Sequence, residues 1–100
     1  MKLRNIEIHV LNSLCDDYEN VNSIQGDLLN VLKKRVQVKS IVEHLKKLSR
    51  LRLIDAYKYD IEKYVFIKQE DLSTIDYVTS WFFITDRGRE ELDENWKGPD

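Results

Sequence analysis

Apolar residues recur through the middle of the chain at intervals of three and four positions. In the clearest repeat the apolar positions are Val38, Ile41, Val42, Leu45 and Leu48. Such spacing places an apolar stripe along one side of an α-helix. We therefore predict a helix from about Gln37 to Arg50 that packs this stripe against a core and turns its polar side outward.

Two weaker helical repeats precede this helix. Residues 3–15 contain apolar positions at helical spacing and no turn residue, which favours a helix over a strand. In the next segment Asn22 is placed as an N-cap, with Gln25 three positions later to complete a capping box. The predicted inner face of this second helix comprises Ile24, Leu28, Val31 and Leu32. Gly26 disfavours the helix by about 1 kcal/mol relative to Ala, which indicates that another backbone packs close to it.

The pattern changes from helical to extended after position 53. Eight of the ten aromatic residues lie between Tyr57 and Phe83, in runs rich in the residue types that strands prefer. We predict a strand at 54–60 that resumes at 64–67, a polar tip at 68–73 and a return strand at 77–84. Thr85 then has the position of an N-cap, and a last helix runs from it towards Trp96.

The helix predicted at 37–50, together with the turn before it and the two residues after it, carries half of the cations. Residues 33–52 hold eight Lys or Arg and one acid, a net charge of +7, although the whole chain has a net charge of −2. A surface that serves only solubility mixes its signs. The concentration of positive charge therefore predicts a surface that binds something negative, and the alternative is an ordinary solvated helix face.

Composition indicates a single folded domain over residues 1–100. The hydrophobic share is 42%, the charged share is 34%, and no Pro-, Gly- or Ser-rich linker divides the chain. No apolar run approaches the roughly 18 residues of a membrane span, and charges interrupt the N-terminus where a signal peptide would be apolar. The single cysteine, Cys15, favours a reducing compartment. We therefore expect a cytoplasmic protein without membrane contact.

Two stretches resemble parts of one known group of regulators. Residues 38–48, followed by Leu53 and Ile54, are similar to the recognition helix and first wing strand of bacterial and archaeal regulators of the multiple-antibiotic-resistance-repressor and phenolic-acid-repressor kinds. Residues 84–88, Ile-Thr-Asp-Arg-Gly, match the hydrophobic-Thr-x-x-Gly pattern that starts the closing helix in those families. The resemblance implies an α+β winged helix-turn-helix with a three-helix core, a two- to three-stranded antiparallel wing and a short C-terminal helix.

The same resemblance implies a transcriptional regulator whose recognition helix lies in the major groove of double-stranded DNA. The residues expected to meet base edges are Gln37, Lys39, Ser40, Glu43 and His44. The residues expected to hold phosphates are Lys33, Lys34, Arg35, Lys46, Lys47 and Arg50. Glu43 has a simpler alternative role, because Lys39 and Lys47 lie one helical turn to either side and suit intrahelical ion pairs.

Two features depart from the pattern of those regulators. Their usual glycine between recognition helix and wing is replaced by Arg50-Leu51-Arg52, and the wing region at 55–77 holds more acids than bases. An acidic wing is unsuited to binding phosphates. The alternative function is therefore a winged-helix module that binds proteins and not DNA.

Strand alternation supports this alternative, because it directs several aromatic side chains away from the core. If Ile54, Phe82 and Ile84 face inward, their aromatic neighbours face outward. The predicted dimer or partner face comprises Tyr57, Tyr59, Trp81, Phe83 and Trp96. Either a second copy of the chain covers this face, giving a homodimer, or the closing helix folds Trp96 back over it.

The sequence offers no catalytic or metal-binding constellation. His9, Cys15 and His44 are the strongest metal-ligand types, and no two of them have the close spacing of a zinc site. The three glycines form no Gly-rich phosphate loop. We therefore expect no enzymatic activity, no cofactor and no metal.

Overall fold

The structure, a computed structural model, describes residues 1–96 as four α-helices and a four-stranded antiparallel sheet. In chain order the elements are α1 (Asn5–Ser13), β1 (Glu19–Asn20), α2 (Val21–Leu32), α3 (Val38–Arg50), β2 (Ile54–Asp60), β3 (Val65–Lys68), β4 (Trp81–Ile84) and α4 (Asp86–Asn95). A short 3₁₀ helix, Leu72–Thr74, lies between β3 and β4. The predicted α+β class is confirmed, as are the four predicted helices and their order.

The strands are arranged in the order β1-β4-β2-β3. β4 pairs with β1 on one side and with β2 on the other, where Ile84 lies opposite Ile54. β3 pairs with the outer half of β2, with Lys68 opposite Tyr57. β3 therefore forms one edge of the sheet.

The strand predicted to resume after residue 60 is instead the second arm of a hairpin. The Asp60 carboxylate accepts hydrogen bonds from the backbone N–H groups of Glu62 and Lys63, and Tyr64 adopts the left-handed conformation with φ of 56°. The turn thus forms without Gly or Pro, and Asp60 is its one turn-favouring residue. The predicted return strand is also shorter than expected, because residues 77–79 form a turn and β4 begins at Trp81.

The core lies between the helices and one face of the sheet. α3 contributes three completely buried side chains, Ile41, Leu45 and Leu48, as its apolar stripe predicts. The sheet contributes Ile54 and Ala56 from β2 and Phe82 and Ile84 from β4. The predicted inward orientation of Ile54, Phe82 and Ile84 is confirmed.

The start of α2 differs from the prediction. Asn20, rather than Asn22, is its N-cap, and the Asn20 side chain accepts a hydrogen bond from the Ser23 N–H at 2.9 Å. Gln25 completes no capping box and instead donates from Nε2 to the Val36 carbonyl at 2.8 Å. Gln25 thereby links α2 to the turn before α3.

Two further predictions for α2 are wrong. Val31 was expected on the inner face but is 51% exposed, so the buried stripe is narrower than its apolar residues suggest. Gly26 was expected to accommodate a nearby backbone, yet a Cβ built on it would meet no atom within 4 Å. Gly26 therefore has no packing reason for being glycine.

The junction between α4 and the loop after α3 explains the Thr-x-x-Gly pattern. Thr85 caps α4 by accepting a hydrogen bond from the Gly88 N–H, and it donates its own hydroxyl hydrogen to the Arg52 carbonyl at 2.7 Å. A Cβ at Gly88 would lie 2.1 Å from the Leu53 carbonyl oxygen. Only glycine lets α4 approach the backbone at Leu53 this closely.

Candidate nucleic-acid interface

The polar side of α3 presents cations to solvent. Lys39, Lys46 and Arg50 are exposed there, and the exposed Glu43 lies among them. Within residues 1–96, none of these four side chains forms an ion pair, so the intrahelical pairs considered for Glu43 are not found. The charges on this face are therefore free to meet a ligand.

The N-terminal end of α3 adds the predicted base-contact positions. Gln37 is exposed at the N-cap position, and Ser40 is half-buried one turn further along the helix. The Gln37 side chain makes no capping hydrogen bond. Its amide therefore remains available for other partners.

The turn before α3 places three more cations beside this end of the helix. Lys33, Lys34 and Arg35 are exposed, and Lys33 ends α2 in the left-handed conformation with φ of 59°. The next residue, Val36, is buried, and its carbonyl accepts the hydrogen bond from Gln25. The turn is thus anchored at one residue while its three cations remain in solvent.

Two of the predicted DNA contacts, His44 and Lys47, bond to a buried acid of another helix. Glu7 on α1 is completely buried, and its carboxylate accepts hydrogen bonds from Lys47 Nζ and from His44 Nδ1, each at 3.1 Å. The His44 side chain is only 14% exposed, whereas the Lys47 side chain is 42% exposed. His44 is therefore withdrawn from the exposed side of α3, and Lys47 is shared between Glu7 and solvent.

The contacts of Glu7 decide its protonation. Burial by itself would raise the pKa of Glu7, but hydrogen bonds from the Arg4 backbone N–H, Lys47 and His44 outweigh it and hold the pKa below its ordinary value of 4.5. Glu7 is thus a carboxylate at neutral pH. It fixes the rotation of α3 relative to α1 through two side chains of α3.

Glu7 was not singled out from the sequence, although a signal is present. It lies four residues after Leu3 and four before Leu11, two buried residues of the same apolar stripe. An acid within such a stripe requires a buried partner. The partners, however, lie 37 and 40 residues away and cannot be assigned from local spacing.

The loop at 69–80 lies against the C-terminal half of α3. Lys46 Nζ lies 6.0 Å from the centre of the Tyr77 ring, and Lys46 and Arg50 line a shallow groove with Ser73 and Ile75. The loop also carries three exposed acids, Glu70, Asp71 and Asp76. Negative charge therefore borders the basic face at this end.

The outer face of the sheet holds the aromatic cluster, and one member comes from an unexpected place. Tyr18, from the loop after α1, stacks on Phe66 with ring centres 4.0 Å apart. It also contacts Tyr57 and Phe83, each at 4.9 Å between ring centres. Tyr18 thus covers much of the predicted partner face from within the same chain.

Of the remaining members of the predicted partner face, two join the aromatic cluster and one does not. Tyr59 and Trp81 flank Phe66, with ring centres at 4.9 and 5.6 Å. Trp96 lies elsewhere, edge-on to the His9 ring at 5.8 Å. Trp96 therefore does not belong to the predicted partner face. The alternative in which it folds back over that face is also wrong, because Tyr18 lies against Phe83 there.

The described part of the chain shows no group of three His, Cys, Asp or Glu side chains that could hold a metal. None of its helices is both long enough and apolar enough to cross a membrane. Burial raises the pKa of the Cys15 thiol, and its Sγ lies 3.5 Å from the Leu11 carbonyl oxygen. A thiol with a raised pKa is a weak nucleophile at neutral pH.

No family model, curated protein or solved structure matches this chain. Its function must therefore be inferred from the geometry and charge of its own residues.

Proposed function

We infer that the chain is a DNA-binding protein of the winged helix-turn-helix type, in which α3 enters the major groove of double-stranded DNA. The order of α1, β1, α2, α3 and the β2–β4 sheet is compatible with that fold. β4 lies between β1 and β2, as expected if the strand that returns from a wing joins the short strand before α2. In this proposal β3 is an additional strand on the outer edge of the wing.

The observation that carries the proposal is the exposed basic face made by α3 and the turn before it. Six exposed cations lie on these two segments: Lys33, Lys34, Arg35, Lys39, Lys46 and Arg50. The opposite side of α3 is locked into the core by three completely buried residues. A rigid helix that presents cations on one side suits a groove lined with phosphates.

Base recognition is assigned to the first two turns of α3. Gln37 suits adenine, Glu43 suits the cytosine amino group, and Lys39 and Ser40 complete the set. His44 is left out of this set because it is turned towards Glu7. Lys47 is retained as a weaker phosphate contact because Glu7 shares its charge.

The proposed biological role is regulation of transcription through binding of this kind. The three acids of the loop at 69–80 would repel DNA phosphates. In this proposal the loop therefore adds no phosphate contact to those of α3. Most of the affinity is therefore assigned to α3 and the turn before it.

A charge-removal experiment tests the proposal. Affinity for mixed duplex DNA is measured for the wild type, for Lys39→Gln combined with Arg50→Gln, and for a control with Lys58→Gln and Lys63→Gln on the β2–β3 hairpin. Both pairs remove two exposed cations, so the net charge changes equally. We expect at least a tenfold loss of affinity for the first pair and little change for the second. Equal losses would contradict a specific role for α3.

A further inference from the structure

The β2–β3 hairpin exposes an unusual amount of apolar surface. Ile61 and Tyr64 in its turn are 74% and 78% exposed, and Val65 and Ile67 on β3 are 45% and 49% exposed. The aromatic cluster covers the opposite face of β3 through Phe66. Apolar residues on both faces of an edge strand are characteristic of a strand that pairs with another chain.

Within residues 1–96, the backbone of β3 has hydrogen-bonding groups without a partner on its outer side. The Gln69 N–H donates to the Ala56 carbonyl at 2.8 Å, which marks residues 56 and 69 as a hydrogen-bonded pair. Hydrogen-bonded and non-hydrogen-bonded pairs alternate along an antiparallel ladder. The backbone groups of Ile67 and Val65 therefore also bond to β2. The N–H and C=O groups of Phe66 and Lys68 must then point away from the sheet.

The usual protections against edge pairing are weak here. The strand has no proline, and its one charged residue, Lys68, is drawn towards Asp55 of β2, with Nζ 3.6 Å from the carboxylate. The opposite edge of the sheet, β1, is only two residues long. β3 is therefore the edge suited to extension.

We propose that a second copy of this chain pairs with β3 in antiparallel fashion, around a two-fold axis at Phe66. This axis is perpendicular to the sheet, so each side chain and its copy lie on the same face. Directly opposite residues also share a face, and the central residue must therefore pair with its own copy. With the axis at Phe66, each Val65 lies opposite Ile67 of the other copy and the two Phe66 residues face each other. The outward N–H and C=O groups of Phe66 then form the central hydrogen-bonded pair.

The alternative axis, at Ile67, is less suitable. It would place Phe66 opposite Lys68, an apolar ring against a charge. The Phe66 register instead matches apolar with apolar at every position from Val65 to Ile67. It also joins the aromatic clusters of the two copies into one, and the two sheets into an eight-stranded sheet. The interface does not depend on the proposed DNA binding, because α3 has no residue in it.

The test measures self-association without DNA, by sedimentation equilibrium from micromolar to near-millimolar concentration. The wild type should show a monomer–dimer equilibrium. Lys68→Pro removes an outward N–H without touching a bond to β2, and it should weaken the dimer at least tenfold. Lys68→Ala is the matched control, because it loses the same ion pair with Asp55 but keeps the N–H, and it should still dimerise.

A second variant guards against misfolding of the proline variant. Ile67→Lys should also weaken the dimer at least tenfold, whereas Val78→Lys, at a residue 57% exposed outside the hairpin, should not. Amide exchange gives a residue-level check: protection of Phe66 and Lys68 should rise with concentration, and protection of Ile67 should not. A wild type that stays monomeric at near-millimolar concentration would overturn the proposal. A dimer unaffected by both Lys68→Pro and Ile67→Lys would also overturn it.

Discussion

The buried carboxylate of Glu7 on α1 binds Lys47 on α3, with Nζ 3.0 Å from Oε2. The two residues are 40 positions apart in the chain, and the pair joins α1 to α3. It turns one cation of α3 partly inward while leaving the others in solvent. The orientation of the basic face therefore depends on one buried acid.

Replacing Glu7 with Gln should destabilise the fold. The neutral Gln amide cannot balance the charge of Lys47. Its NH₂ group is also a donor, and it would face the donor nitrogens of His44 and Lys47. We expect the free energy of unfolding to fall by about 2 kcal/mol, within the usual range for an unpaired buried group. Glu43→Gln on the exposed side of α3 is the control and should change it by less than about 0.5 kcal/mol. Urea denaturation at neutral pH measures both.

The same variant should lose part of the pH dependence of stability. The folded pKa of Glu7 lies below its ordinary value of 4.5, so the carboxylate stabilises the fold above that pH. This stabilisation is lost as the pH falls through the folded pKa. The difference between wild type and Glu7→Gln should therefore shrink in acid, and a constant difference from neutral to acidic pH would contradict this assignment.

Two glycine-to-alanine changes should act in opposite directions. Gly88→Ala places a Cβ 2.1 Å from the Leu53 carbonyl oxygen, so α4 must move and the thermal midpoint should fall by several degrees. Gly26→Ala meets open space within α2 and should stabilise the protein by about 0.5–1 kcal/mol. Thermal unfolding followed by circular dichroism compares them. Equal effects would show that the Leu53 contact is unimportant.

Lys33→Gly should separate stability from binding. Lys33 ends α2 with φ of 59°, a conformation that glycine adopts without strain. The change should therefore stabilise the fold by about 1 kcal/mol. It also removes one proposed phosphate contact and should weaken DNA binding. Asparagine also adopts this conformation and is uncharged. Lys33→Asn should therefore likewise stabilise the fold and weaken DNA binding.

The helices could be predicted from the sequence because their signals are local. The stripe from Val38 to Leu48 defines α3, and Thr85 marks the start of α4. The hairpin turn was missed because its sequence signal is weak: Asp60 is its one turn-favouring residue, and Tyr64 takes the left-handed conformation that glycine adopts more readily. The cover over the aromatic face was missed for a different reason: Tyr18 lies in an acidic loop, and only the folded chain brings it to Phe66.

The candidate site could be predicted in part. Lys39, Lys46 and Arg50 lie on the exposed side of α3 as the helical repeat requires. His44 and Lys47 occupy the border of that side, where a single buried acid decides their direction. The helical repeat shows that these two residues lie between the buried and exposed sides of α3. It cannot show that they bond to Glu7, because Glu7 belongs to α1.

Gln37 and Ser40 are predicted to choose the DNA sequence. Selection from a pool of random duplexes should give a different preferred site for Gln37→Ala than for the wild type, with a loss of about 1–3 kcal/mol on the original site if a base contact is removed. Ser40→Ala should act in the same way at a neighbouring base position. His44→Ala, at a residue directed to Glu7, should leave the preferred sequence unchanged. An unchanged preference in both Gln37→Ala and Ser40→Ala would remove these residues from the base-contact set.

The most direct measurement of the central claim is the salt dependence of binding to duplex DNA. Each phosphate neutralised by a cation contributes a slope of about −0.9 to the logarithm of the association constant against the logarithm of salt concentration. If at least three of the six exposed cations bind phosphates, the wild-type slope should be about −2.7 or steeper. Lys46→Gln combined with Arg50→Gln removes two proposed phosphate contacts and should make this slope shallower by nearly two contacts, about 1.8. A slope near zero, or no binding even at low salt, would contradict the proposal that α3 is a DNA-binding helix.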